Sequence, residues 1–292
     1  MIKKSLIVFI VLFISYTIFI VMNPKISSSQ HQWQDNVIKA QNFIYYDNDT
    51  INNIIIGSSL SGRIIMDSLP NFYNLSFSGL SIFDGLKILK SKDKLPKNVY
   101  IETNELLRKE SNEFTNSLIS TIPFFLGKYF ISLRADKQPI AVSISDVTAL
   151  IIKIKSRIQP ISEKKEIVNP ILKNEELFNK ILKQQIENYS KQPDRILLNK
   201  QLLLLSEYVE YLRKNNVNVC FFEMPINSNL MELPTSKVIR NELFKLFPIK
   251  TFDYILPDSS LYETSDGLHL NNIEAIKYTA YFKSQIKNLN YR

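Results

Sequence analysis

The sequence predicts an α/β domain on a parallel sheet, interrupted by a helical insertion and preceded by one N-terminal transmembrane helix. Three observations predict it. Short β-branched runs alternate with segments of helical periodicity, the pattern of βαβ units. Pro123, Pro139, Pro160, Pro170 and Pro193 cut the stretch 105–193 into pieces too short to continue that pattern. Ser5–Met22 is an uncharged apolar run behind a basic start, Lys3-Lys4.

In chain order, Ser5–Met22 reaches about 27 Å as a helix, just enough to cross a hydrocarbon core. Its exit, Val21-Met22-Asn23-Pro24-Lys25, has no small-x-small cleavage site, so residues 1–25 read as an uncleaved signal anchor; a cleaved signal peptide, cut at the Ser27-Ser28-Ser29 patch, is the alternative. Lys3 and Lys4 keep the N-terminus in the cytoplasm and put the remaining chain outside the cytoplasmic membrane, periplasmic or extracellular; Lys25 opposes that bias. Residues 26–50 read as a polar stem with one short helix around Asp35–Phe43, and His31 as an exposed stem residue.

The α/β domain spans 51–292. Asn53–Gly57 holds Ile54-Ile55-Ile56, a strand buried on both faces, and a helix is expected from near Ser61. A second strand is expected over Phe72–Phe77, then a helix over Ser81–Lys90 with Ile82, Phe83, Leu86 and Leu89 on one face. Asn98–Glu102 is the third strand. The insertion follows, with an apolar Thr121–Phe130, an Ile/Lys alternation at Ile151–Ile158 and helical spacing at Glu175–Tyr189. It reads as a lid or a surface facing membrane or partner, or as packing without function. The alternation then resumes: helix Ile196–Arg213, strand Val217–Glu223, helix Ser236–Leu246, strand Phe252–Ile255 and a closing helix Ile273–Ile286.

Composition limits the function classes. The 292 residues are 45% apolar and 22% charged, an ordinary globular balance with a sizeable core. Of the formal net charge of +8, Lys3, Lys4 and Lys25 supply three, which leaves a mild +5. No basic run interleaved with aromatics points to nucleic acid. The single cysteine, Cys220, excludes an internal disulfide and sits in an apolar run as a core residue. No metal site or cofactor is implied.

In a parallel sheet, Ser59, Gly79 and Asn104 all follow C-terminal strand ends, where open α/β sheets hold their ligands. A serine needs a base and an oxyanion site before it is a nucleophile. Only two histidines are available, and His269 has Asp266 three residues before it in Ser265-Asp266-Gly267-Leu268-His269. A carboxylate there can orient the imidazole.

These residues resemble the SGNH/GDSL hydrolase superfamily. Gly57-Ser58-Ser59-Leu60 is similar to its first block, with Ser59 in the nucleophile position. Asn74-Leu75-Ser76-Phe77-Ser78-Gly79 resembles the second, whose glycine gives an oxyanion-hole N–H. Ile101-Glu102-Thr103-Asn104-Glu105 resembles the third, whose asparagine is a further donor, and Asp266-Gly267-Leu268-His269 matches the Asp-x-x-His that completes the triad. Ser58, Glu102 and Glu105 depart from the usual aspartate, glycine and aspartate. Such relaxed blocks resemble those of membrane-anchored cell-envelope branches that act on acylated polysaccharides or teichoic acids. The resemblance implies a flavodoxin-like three-layer α/β/α fold, catalytic Ser59, Asp266 and His269, and an oxyanion hole from the Ser59 and Gly79 N–H groups and the Asn104 amide.

The function so implied is a serine acyl-enzyme esterase or O-acyltransferase acting on O-acyl esters, acetyl foremost, of an extracytoplasmic envelope glycan. Transfer would require a membrane partner that exports acyl groups. The alternatives are a catalytically silent glycan-binding or scaffold module of the same fold, and a lipid esterase or thioesterase if the Thr121–Phe130 patch lines the pocket. Glu102 and Glu105 read as solvated strand-end charges outside the site, and Ser58 as a supporting residue only.

Overall fold

The structure, a computed structural model, describes residues 2–23, 31–46, 51–139 and 175–289. The Ile151–Ile158 alternation lies outside the described residues. The elements in chain order are α1 (Ile2–Met22), α2 (Gln32–Tyr45), β1 (Asn53–Ile56), β2 (Phe72–Asn74), α3 (Ile82–Lys90), β3 (Asn98–Glu102), α4 (Asn112–Ile119), α5 (Thr121–Tyr129), α6 (Glu175–Tyr189), α7 (Arg195–Lys214), β4 (Asn218–Phe222), α8 (Ser228–Met231), α9 (Pro234–Leu246), β5 (Asp253–Ile255) and α10 (Asn272–Leu289). The chain divides into two compact units: Met1–Tyr46 with Glu113–Pro170, and Asp47–Asn112 with Ile171–Arg292.

In the first unit α1 is long and apolar enough to cross a membrane, with only Ile20 buried along its length. His31 caps α2: its Nδ1 accepts the Gln34 N–H, satisfying one of the orphan donors of the first turn. Helix α2 buries Ala40, Phe43 and Ile44, and Trp33 meets Phe114 of α4 edge-on at 5.4 Å.

The second unit is an α/β domain on a five-stranded, fully parallel sheet of order 2-1-3-4-5. The order reverses direction between β1 and β3, and ligands of doubly wound sheets bind outside the strand ends at that reversal. Register sets Ile54, Ile55 and Ile56 opposite Val99, Tyr100 and Ile101, and Tyr100 and Ile101 opposite Cys220 and Phe221. Alternate residues face opposite sides. Ile55, Tyr100, Cys220 and Phe222 form one core with Tyr278 and Phe282 of α10. On the other side Ile56 lies against Gly85 of α3, and the Phe221 ring packs tilted against Phe247 at the end of α9. Both faces are therefore covered, which is why the strands are continuous apolar runs.

Two expectations fail locally. The helix expected from Ser61 is a single 3-10 turn, Ser61–Arg63. The β-branched pair Ile64-Ile65 follows it and favours extended backbone. Strand β2 stops at Asn74 instead of Phe77, because the Asn74 side chain accepts the Ser76 N–H and donates to the Ser61 carbonyl. Backbone pairing nevertheless continues past it, from Leu75 N to Ile55 O and from Phe77 N to Gly57 O.

Candidate active site

Ser59 follows β1 by three residues, and the turn that holds it is built on a buried carboxylate. Parallel register brings Glu102, the last residue of β3, level with Gly57. Glu102 is 0% exposed. Its Oε2 accepts the Ser58 N–H at 2.9 Å and the Ser61 N–H at 3.1 Å. Its Oε1 accepts the Ser58 hydroxyl at 2.8 Å, and the Ser61 hydroxyl donates to Oε2. Ser58 Oγ in turn accepts the Leu60 N–H at 3.2 Å. Burial pushes the Glu102 carboxyl above its ordinary range, while the hydrogen bonds from Ser61 and Ser58 pull the other way. A carboxylate with four donors on it is an anchor for the whole turn. Glycine is required at 57 by space, since a Cβ there would overlap Ser61 Oγ and the Glu102 side chain.

This corrects the reading of Glu102 as a solvated strand-end charge. The signal was available: small residues at 57, 58 and 61 leave a gap that an acid ending the next strand can fill. Glu105 is partly exposed and paired with Arg108 at 2.8 Å.

His269 reaches Ser59 from a loop between β5 and α10. Asp266 makes that loop rigid: its Oδ1 accepts the Leu268 N–H at 3.0 Å and the His269 N–H at 2.8 Å. Gly267 supplies a φ of 92°, open only to glycine without strain, and its N–H donates to Thr264 Oγ1. The loop closes through the Ser265 N–H donating to the His269 carbonyl, and through the Asn227 N–H donating to the Gly267 carbonyl.

The second Asp266 oxygen, Oδ2, lies 2.7 Å from His269 Nδ1, and His269 Nε2 lies 2.8 Å from Ser59 Oγ. Burial raises the Asp266 pKa, but the hydrogen bonds from the His269 ring and from the His269 and Leu268 N–H groups outweigh it and hold it at about 2. An ionised carboxylate only accepts, so Nδ1 carries the ring proton and Nε2 of the neutral ring accepts from the Ser59 hydroxyl. Ser59 and His269 are both partly exposed, within reach of a ligand.

The expected oxyanion donors follow three neighbouring strands. Ser59 follows β1, Gly79 lies beyond β2 with a φ of 76°, and Asn104 lies beyond β3. Among the described residues neither the Ser59 nor the Gly79 N–H donates a hydrogen bond within the protein. Asn104 is more committed. Its Nδ2 donates to the Met224 carbonyl at 2.9 Å and its Oδ1 accepts the Met224 N–H at 2.7 Å, which leaves one amide N–H for a ligand. A small cavity beside it is lined by Thr103, Asn104, Tyr189, Met224, Met231 and Arg240, among others.

The Thr121–Phe130 patch belongs to the first unit, where the Phe124 ring packs on Tyr45. Comparison of the chain with family models and with curated proteins returns no match to either.

Proposed function

We propose that the protein is an SGNH-type serine esterase or O-acyltransferase working through a Ser59 acyl-enzyme. The observation that carries this reading is the continuous relay from Asp266 through His269 to Ser59, with contacts of 2.7 and 2.8 Å. Ser59 Oγ attacks the ester carbonyl while His269 Nε2 takes its proton, and the Nδ1–H bond to Asp266 stabilises the resulting imidazolium. The Ser59 and Gly79 N–H groups and the spare Asn104 N–H would hold the oxyanion. His269 then returns the proton to the leaving alcohol. Water, or a sugar hydroxyl deprotonated by the same His269, releases the acyl group and regenerates Ser59.

The 2-1-3-4-5 parallel order, covered on both faces, supports the flavodoxin-like three-layer fold of that superfamily. The apolar α1 behind Lys3-Lys4 supports a signal anchor that keeps the site outside the cytoplasmic membrane. An O-acylated envelope glycan is the substrate class that fits such an address, and transfer would draw its acyl group from a membrane partner.

The test uses the full chain in detergent. Wild type should hydrolyse 4-nitrophenyl acetate and take a covalent fluorophosphonate label, and Ser59→Ala and His269→Ala should each abolish turnover. Equal rates in all three proteins with no label on Ser59 would leave a binding module instead.

A further inference from the structure

Helix α5 has two unlike faces. Gly127 and Phe124 pack on Tyr45 of α2, so closely that a Cβ at Gly127 would overlap the Tyr45 ring. On the other face Ile122, Phe125, Leu126 and Tyr129 recur at i, i+3, i+4 and i+7, a complete apolar stripe. That stripe is bare: Ile122 is 71% exposed and Tyr129 62%. Leu133, in the turn just beyond the helix, is a further exposed apolar side chain. Patches of this kind mark interaction surfaces.

The neighbouring residues of the same unit identify what covers it. Phe130 meets Phe13 of α1 with ring centroids 6.1 Å apart. Ser132 Oγ lies 2.9 Å from Thr17 Oγ1, and the Tyr16 hydroxyl donates to the Lys137 carbonyl at 2.7 Å. Phe13, Tyr16 and Thr17 lie roughly 7–14 Å along the helix from its Met22 end. That is within one half of a ~30 Å hydrocarbon core.

The charges of the segment are compensated internally. Lys137 pairs with Asp136 at 2.9 Å with both side chains buried, and Arg134 Nε donates to the Gly127 carbonyl with its guanidinium over the Tyr45 and Tyr46 rings. Lys128 lies over the Phe124 and Tyr129 rings, a stem able to lift its ammonium toward headgroups. Polar groups at membrane depth need such partners.

We infer that 121–133 is a second membrane element, a short helix and turn seated in the bilayer leaflet at the Met22 end of α1, with Ile122, Phe125, Leu126, Tyr129 and Leu133 against acyl chains. It rests on the proposed crossing of the bilayer by α1. The protein is thus held by a spanning helix and a leaflet-deep wedge, a two-point anchor that restricts rotation of the first unit about the membrane normal.

The test places an NBD fluorophore on single cysteines in a Cys220→Ala background. Phe125→Cys and Ile122→Cys report the stripe, Leu12→Cys reports α1, and Lys237→Cys on α9 is the aqueous reference. The full chain is reconstituted into equimolar phosphatidylglycerol and phosphatidylethanolamine vesicles carrying doxyl-labelled lipid. Supporting outcomes are a blue shift and loss of emission at 125 and 122, strongest with the doxyl group near the headgroup, alongside quenching at 12 and none at 237. Quenching at 12 with water-like, unquenched emission at both 125 and 122 overturns the inference and leaves the anchor standing. No quenching at 12 overturns the anchor and this inference together.

Discussion

The Glu102 carboxylate holds Ser58 by two groups at once, accepting its backbone N–H on Oε2 and its hydroxyl on Oε1. Ser59 is the next residue, so the position of the proposed nucleophile is set by a buried acid that does not touch it. Ser61 is held by the same acid on the far side. The turn is thereby fixed on both flanks of Ser59, with the Ser59 N–H left out of the network.

In the proposed mechanism Glu102 acts as a positioning residue, and Glu102→Gln should lower kcat by about 10²-fold with KM near wild type. An amide can accept on one atom only: with its oxygen in the Oε2 position it keeps three of the four donors and turns an NH2 toward the Ser58 hydroxyl. The rate of fluorophosphonate labelling at Ser59 should fall in parallel with kcat. Loss of stability with an unchanged labelling rate would reduce Glu102 to a fold residue.

Asn104 clamps Met224 and is proposed as an oxyanion donor, and one variant can tell the two apart. Its amide clamps both backbone groups of Met224, and its remaining N–H is offered as an oxyanion donor. Asn104→Ala should cost about 1–3 kcal/mol in urea unfolding, from the Met224 groups left unpaired. As an oxyanion donor it should also cost about 10²–10³ in kcat. A stability loss with full kcat would mean that Asn104 is a clamp alone.

What could be read in the sequence follows from how local each cause is. Ile54-Ile55-Ile56 and Val219-Cys220-Phe221-Phe222 announce buried parallel strands because both faces are apolar, and the structure has strands there. The ends of α3, α7 and α9 fall within two residues of their expected positions, since Ser81, Asp194 and Pro234 are start signals. Asp266 and His269 meet through a turn three residues long, a local matter as well. Glu102 was legible only indirectly, through the small residues at 57, 58 and 61 that leave room for it. A glutamate is usually exposed, and its burial here depends on Gly57, just past β1, lying level with it across the sheet.

Asp266 is the residue whose replacement should be read against pH. Three donors converge on it, two backbone N–H groups on Oδ1 and the ring Nδ1–H on Oδ2. A carboxamide can accept at one of those atoms only. If its oxygen keeps the backbone pair, its NH2 faces His269 Nδ1 and drives the ring proton to Nε2, where it can no longer accept from Ser59. Asp266→Asn should then lower kcat by roughly 10⁴-fold. Stability carries a second signature. The Asp266 pKa of about 2 in the folded protein lies below the ~3.9 of an unfolded aspartate, so the ionised form stabilises the fold. That contribution is complete above about pH 5 and is lost as pH falls through about 4 toward about 2. The stability gap between wild type and Asp266→Asn, measured by urea unfolding, should be constant above that window and close within it. A gap that stays open at the acid end, or a variant within tenfold of wild-type kcat, would mean that the hydrogen bonds to Asp266 are not what orients His269.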